Sequence, residues 1–261
     1  MITTKNRTQL FFLLTFLLTL PAYILVALIS SNMILTPDMA TFFIPLGAFA
    51  PIIAGLIMVY RDNGKGGMKG LIKKGFDFKN IEKRIWYIPI IFLLPLIFAT
   101  AFGLLALFGQ SIPEAPSPIY FTPFLFLSFF ILGFGEEIGW MGYVFGLMQK
   151  KSGSIKSSIL LGLIWALWHL PFYIFMIKDA RSIMLMLLCL IGVRVILVWV
   201  YNNTNQSVFA TICFHAMFNV SVSATPNYSL PSGIALTCVL ILTTTAIITI
   251  FGGLKQTKPL S

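Results

Sequence analysis

Two adjacent carboxylates, Glu136 and Glu137, stand inside a long apolar run that reads Gly133-Phe134-Gly135-Glu136-Glu137-Ile138-Gly139-Trp140-Met141-Gly142. The remaining acidic residues, Asp38, Asp62, Asp77, Glu82, Glu114 and Asp179, fall between apolar runs or at their ends. An acidic side chain within a membrane span costs roughly 2.5 to 3.5 kcal/mol on insertion scales, so a chain that keeps two of them has a use for them. That use is either chemistry or a structural ion pair with a neighbouring helix. The two histidines of the sequence, His169 and His215, also lie in apolar runs, each a different one from the Glu pair. A carboxylate and an imidazole sharing a pocket of low polarity can activate water by general base catalysis, worth about 10² to 10⁴ in rate. A second imidazole with an amide can stabilise an oxyanion, where the loss of one donor costs about 10² to 10³. Two His and a Glu also form a recognised zinc ligand set, so Glu136, His169 and His215 could instead hold a divalent metal such as Zn.

The elements that must position these residues are membrane helices. The chain has 261 residues, 58% hydrophobic and 10% charged, with a mean hydropathy of +0.92, far outside the range of soluble domains. Crossing roughly 30 Å of hydrocarbon takes about 20 apolar residues as helix. Eight such runs are present, at about 10–30, 39–60, 86–108, 119–148, 155–177, 182–201, 207–222 and 233–252, the seventh being the shortest. They are continuous rather than alternating, which excludes a barrel. The expectation is one all-α, polytopic membrane domain over residues 1–261. The first run, after Lys5 and Arg7, is longer than a signal-peptide core and is taken as a retained span. Cys189, Cys213 and Cys238 lie inside apolar runs without Cys-x-x-Cys spacing, as buried small hydrophobes would.

The net charge of +10 reports topology rather than nucleic-acid binding. Lys5 and Arg7, the cluster Arg61 to Arg84, Lys150, Lys151, Lys156, Lys255 and Lys258 all fall on one side of eight alternating spans. The positive-inside rule makes that side the cytoplasm, with both termini there, in a plasma membrane. After the Gly-rich turn Asn63-Gly64-Lys65-Gly66-Gly67, Met68, Leu71, Ile72 and Phe76 recur among lysines, as in a short helix on the anionic inner leaflet; a solvated basic loop is the alternative. The Pro-rich stretch 112–118 separates spans three and four on the other side. Span four, at about 30 residues, is too long for an upright crossing and must tilt, kink near its glycines or project into the cytoplasm.

At about 1.5 Å per residue, Glu136 lies about 18 Å, His169 about 21 Å and His215 about 12 Å from the inner ends of their spans. Three polar helices can therefore meet at one level. Glu136 and Glu137 are about 100° apart, so one can face a cavity while the other braces a neighbour. Asn219 follows His215 by one turn, and Trp165 precedes His169 by one turn, each on the same face as its histidine. Pro171 frees a backbone carbonyl two residues after His169, favouring a kink and local water.

On these residues the chain resembles the CPBP family of intramembrane proteases, the CAAX-protease and bacteriocin-processing group. The family pattern is Glu-Glu-x-x-x-Arg, an aromatic preceding a His, and His-x-x-x-Asn or Asp. Here stand Glu136-Glu137-Ile138-Gly139-Trp140-Met141, Trp165-Ala166-Leu167-Trp168-His169 and His215-Ala216-Met217-Phe218-Asn219, in order, within about 120–222. The resemblance implies eight spans and a membrane peptide or protein as substrate. It implies that Glu136 activates water with His169, that Glu137 supports it, and that His215 and Asn219 stabilise the tetrahedral intermediate, by glutamate-type or metal-dependent hydrolysis. Met141 departs from the pattern, where the family has Arg. Arg194, a cation inside span six, could compensate from another helix; its alternative is to snorkel to the membrane surface.

The expected function is an intramembrane endopeptidase with its cavity on the cytoplasmic half of the bilayer. Two other functions compete: a non-catalytic immunity or regulatory protein of the same fold, in which Met141 records lost chemistry, and a transporter with a Glu/His proton relay. Other intramembrane protease chemistries fit worse, since neither Gly-x-Ser-x-Gly nor His-Glu-x-x-His occurs.

Overall fold

The structure is a computed structural model that describes residues 4–30, 44–115, 117–177, 179–226 and 230–254. Asp38, Lys255 and Lys258 of the charge pattern lie outside the described residues. The described chain is helical without strands, as an apolar environment requires: with no water to bond, each backbone N–H and C=O must be satisfied within its own segment.

The helices are α1 (Thr4–Ser30), α2 (Ala50–Lys73, entered through the 3-10 turn Ile44–Phe49), α3 (Tyr87–Leu107), α4 (Thr122–Gly139), α5 (Gly146–Ser152), α6 (Ser154–Met176), α7 (Ala180–Asn203), α8 (Val208–Ala224) and α9 (Pro231–Phe251). Among the described residues seven segments are long and apolar enough to cross a membrane, and α8 is a shorter apolar helix. The protein is thus an all-α, multi-pass membrane protein. Its weakest span by sequence is also its shortest in space.

Neighbouring helices follow one another around the bundle as α1, α2, α4, α8, α3, α9, α7, α6 and back to α1. Contact between α7 and α8 closes the middle. One end gathers the basic connections: Arg7 pairs with Asp62 at 3.1 Å, and Gln149 Nε2 donates to Asn202 Oδ1 at 3.1 Å.

Three local features differ from what the sequence pattern predicts. The Gly-rich turn at 63–67 shrinks to one non-helical residue, Gly64 (φ 61°), across which α2 continues to Lys73. Glycine alone adopts that φ without a Cβ penalty, so a single residue makes the bend. The basic connection beyond it docks against protein: Leu71 and Gly75 are buried, the latter against the Phe134 ring, while Ile72, Phe76 and Phe78 stay exposed. Span four adjusts through a π-helical segment, Trp140–Phe145, between α4 and α5. This widened turn begins three residues after Glu137, and π turns recur at functional sites.

Small residues set how closely α4 approaches its neighbours. A Cβ on Gly139 would lie 2.3 Å from the Pro51 carbonyl oxygen, and one on Gly135 2.9 Å from the Ala48 oxygen. Two glycines one turn apart thus let α4 pack backbone to backbone on the start of α2, the small-xxx-small arrangement of membrane helices.

Candidate active site

The α4 backbone so placed carries Glu136 and Glu137 into the centre of the bundle, where they are 6% and 0% exposed. Glu137 is bonded on both oxygens. Arg194 Nη1 of α7 donates to its Oε2 at 2.7 Å, and His215 Nδ1 of α8 meets its Oε1 at 2.8 Å. Gly133, one turn before Glu137, faces the His215 ring, where a Cβ would sit 3.6 Å away in ordinary van der Waals contact. Glu136 takes a different partner: Trp165 Nε1 of α6 donates to its Oε2 at 2.8 Å. Trp165 also packs edge-on to the His215 ring, with centroids 5.4 Å apart, and the Arg194 guanidinium lies 4.1 Å over the Trp165 ring. Helices α4, α6, α7 and α8 therefore converge on one buried polar knot.

His169 belongs to the rim of this knot. Its Nδ1 lies 2.9 Å from the Trp165 carbonyl oxygen, which can only accept, so the proton sits on Nδ1 and Nε2 keeps the lone pair in the neutral ring. The ring is half-buried, edge-on to Trp165 and Trp168 and stacked on Tyr173. Asn219, also half-buried, follows His215 by one turn on α8, and no hydrogen bond of its side chain is seen among the described residues. Arg194 is fully buried, not snorkelling. Met141 is 1% exposed and packs in the hydrophobic core. Helix α6 runs on through Pro171 to Met176.

Residues without an obvious chemical signal hold these groups in place. On α1, Thr19 Oγ1 accepts from Trp168 Nε1 at 2.8 Å, and the Tyr23 hydroxyl donates to the Trp168 carbonyl oxygen. Trp168 adjoins His169, so α1 fixes the α6 segment that presents the imidazole. In the basic connection, Asp77 accepts from Ser207 Oγ at 2.7 Å, Phe209 N–H at 3.0 Å and Val208 N–H at 3.2 Å, capping α8 two turns before His215. Thr19 and Tyr23, two of the few polar residues in the first span, were the trace of the former contact in the sequence.

Glu136, Glu137 and His215 each offer a ligand atom within 4.8 Å of the others, the separation a shared metal ion requires. His169 is not in that group, so it differs from the zinc set Glu136, His169 and His215 that the sequence suggests. Some of these donor atoms are already bonded. Both oxygens of Glu137 and Nδ1 of His215 bond one another or Arg194, and an ion there would have to break those bonds beside a guanidinium. Glu136 Oε1, His169 Nε2 and His215 Nε2 stay outside those bonds and are the atoms through which these residues would hold a divalent cation.

Residues 118–221 match the model of the family described as type II CAAX prenyl endopeptidase Rce1-like. The chain is also similar to CAAX prenyl protease 2 of Methanococcus maripaludis, 29% identical over 233 residues that cover 83% of this chain and 84% of that protein. The matched segment contains the Glu pair and both histidines, the groups that the fold brings onto neighbouring helices. The buried polar knot of this membrane protein thus lies within residues 118–221, the segment that is similar to the Rce1-like type II CAAX prenyl endopeptidase family.

Proposed function

We propose that this protein is an intramembrane endopeptidase that hydrolyses a peptide bond of a membrane-associated substrate with a water activated by Glu136 and His169. The single observation that carries this is the unequal bonding of the two carboxylates. Glu137 has both oxygens committed to Arg194 and His215, whereas Glu136 accepts one indole N–H and keeps Oε1 for a proton. His169 presents an Nε2 lone pair to the same water. The water oxygen attacks the scissile carbonyl carbon, its proton passes to Glu136, and the same proton goes on to the leaving amine. His215, as an imidazolium whose Nδ1–H donates to Glu137, turns Nε2–H toward the developing oxyanion, and the Asn219 amide adds a neutral donor. The peptide approaches from the side of His169 and Asn219, the half-buried members of the site.

The name of the similar protein makes a prenylated C-terminal peptide the first substrate to assay. The positive-inside rule orients the basic end, and with it both termini, toward the cytoplasm of a plasma membrane. The exposed apolar side chains Ile72, Phe76 and Phe78 among the lysines of the 61–85 connection suit contact with anionic inner-leaflet lipids.

His169→Ala and His215→Ala are each expected to lower peptide cleavage by about 10² or more, with membrane insertion retained. Chelator is expected to leave wild-type cleavage unchanged. Full cleavage by both variants contradicts the assignment of roles, and loss of cleavage on chelation, restored by added Zn²⁺, transfers the water to a metal.

A further inference from the structure

The ion pair between Arg194 and Glu137 reaches both carboxylates. It buries a cation and an anion at 0% exposure each, 2.7 Å apart. Breaking such a pair by removing one partner leaves an uncompensated buried charge and is strongly destabilising. The same guanidinium covers the Trp165 ring at 4.1 Å, and that ring's N–H is the group bonded to Glu136. Close approach of α7 to α6 is permitted by Gly162, where a Cβ would meet Ile191 Cα at 3.1 Å and Arg194 Cβ at 3.2 Å. Nε and Nη2 of Arg194 have no hydrogen-bond partner among the described residues. Stacking on Trp165 and one bond to Glu137 therefore account for the side chain's placement.

A cation serving Glu137 from its own helix would stand one turn on, at position 141. Met141 is there instead, buried in the apolar core. We propose that Arg194 supplies this cation from α7 and is the positioning residue for both carboxylates, Glu137 through its ion pair and Glu136 through the indole it holds. This deepens the peptidase function proposed above and rests on it for the kinetic half of its test. A planar guanidinium is required, because stacking and directional bonding are combined in one group; a lysine ammonium provides a charge without the plane.

The test compares Arg194→Met, Arg194→Lys, Arg194→Met with Met141→Arg, and Arg194→Met with Glu137→Gln, in detergent-purified full-length protein. Melting temperature, kcat and KM are measured, together with infrared carboxylate bands assigned through Glu136→Gln and Glu137→Gln. Arg194→Met is expected to lower kcat by about 10², the scale of a small misplacement of reacting groups, with KM within about threefold. Both carboxylate bands shift in it. Arg194→Lys recovers only part of the rate. Moving the cation to position 141 raises kcat at least about tenfold over Arg194→Met. Neutralising the pair with Glu137→Gln restores the melting temperature but not kcat, which separates positioning from charge compensation and serves as the foldable variant if Arg194→Met is lost. A kcat in Arg194→Met within about twofold of wild type overturns the proposal, as does recovery of kcat in the neutralised pair. A shift of the Glu137 band alone overturns the claim on both carboxylates. The infrared result stands apart from turnover, so absence of cleavage by the wild type counts against the peptidase function while the bands decide the role of Arg194.

Discussion

Glu136 and Glu137 are neighbours in sequence and differ in surroundings, and this difference assigns their proposed work. Both oxygens of Glu137 meet nitrogens of α7 and α8, while Glu136 is held by the α6 indole alone. Trp165→Phe keeps the ring and removes the donor. A hydrogen bond to a charged group contributes about 1.5 to 3 kcal/mol, so cleavage is expected to fall about 10- to 100-fold and the melting temperature by several degrees; unchanged turnover would show that the indole bond does not set the position of Glu136. The ionisable members of the site were legible in the sequence because charge in an apolar run is costly and therefore conspicuous. Their partners were less so. Glu137 pairs with His215 rather than with a residue of its own helix, and His169 spends Nδ1 on a backbone carbonyl. Both pairings depend on helix rotation and packing, which periodicity does not specify. Arg194 was visible as a cation inside span six, but its burial and its reach to both carboxylates through Trp165 were not.

At the scale of elements, the approach of α4 to α2 and the capping of α8 position the catalytic candidates. An added Cβ at Gly139 meets the Pro51 carbonyl, whereas at Gly146 nothing lies within 4 Å. Gly139→Ala is expected to cost about 1 to 3 kcal/mol, as overpacking does, and to lower the melting temperature, with Gly146→Ala nearly neutral; equal melting of the two would remove the close-packing explanation. Asp77 tests the other contact. Burial pushes its carboxyl above the ordinary value of 3.8, against the opposing pull of bonds from Phe209, Ser207 and Val208 and of the Lys74 charge. A carboxyl raised in the folded state contributes most to stability when protonated, and that contribution is lost as pH rises through its folded value. The melting temperature of wild type relative to Asp77→Asn is therefore expected to decline as pH rises from about 4 to 7. A difference that is flat or grows over this range contradicts the assignment. The π segment at Trp140–Phe145 and the docking of the basic connection escaped the sequence because both arise from contacts between helices distant along the chain.

At the scale of the whole molecule, hydropathy marked the apolar helices in order, because each must satisfy its backbone internally, although α2 runs on to Lys73 instead of ending near residue 60. Their order around the bundle was not legible: α4 sits between α2 and α8, and α8 between α4 and α3. Orientation is expected from charge. With native cysteines buried, Lys151→Cys should react with an impermeant maleimide only from the cytoplasmic side and Ser117→Cys only from the other; the reverse pattern would invert the topology. That arrangement encloses one polar knot in an apolar bundle, and its proposed purpose is to activate water. The most direct measurement reconstitutes wild type and Glu136→Gln in lipid vesicles with a prenylated C-terminal peptide and follows cleavage by mass spectrometry. Wild type is expected to cut one bond of the peptide, and Glu136→Gln to do so at least about 10² more slowly while keeping its fold; equal rates in the two would contradict the central claim.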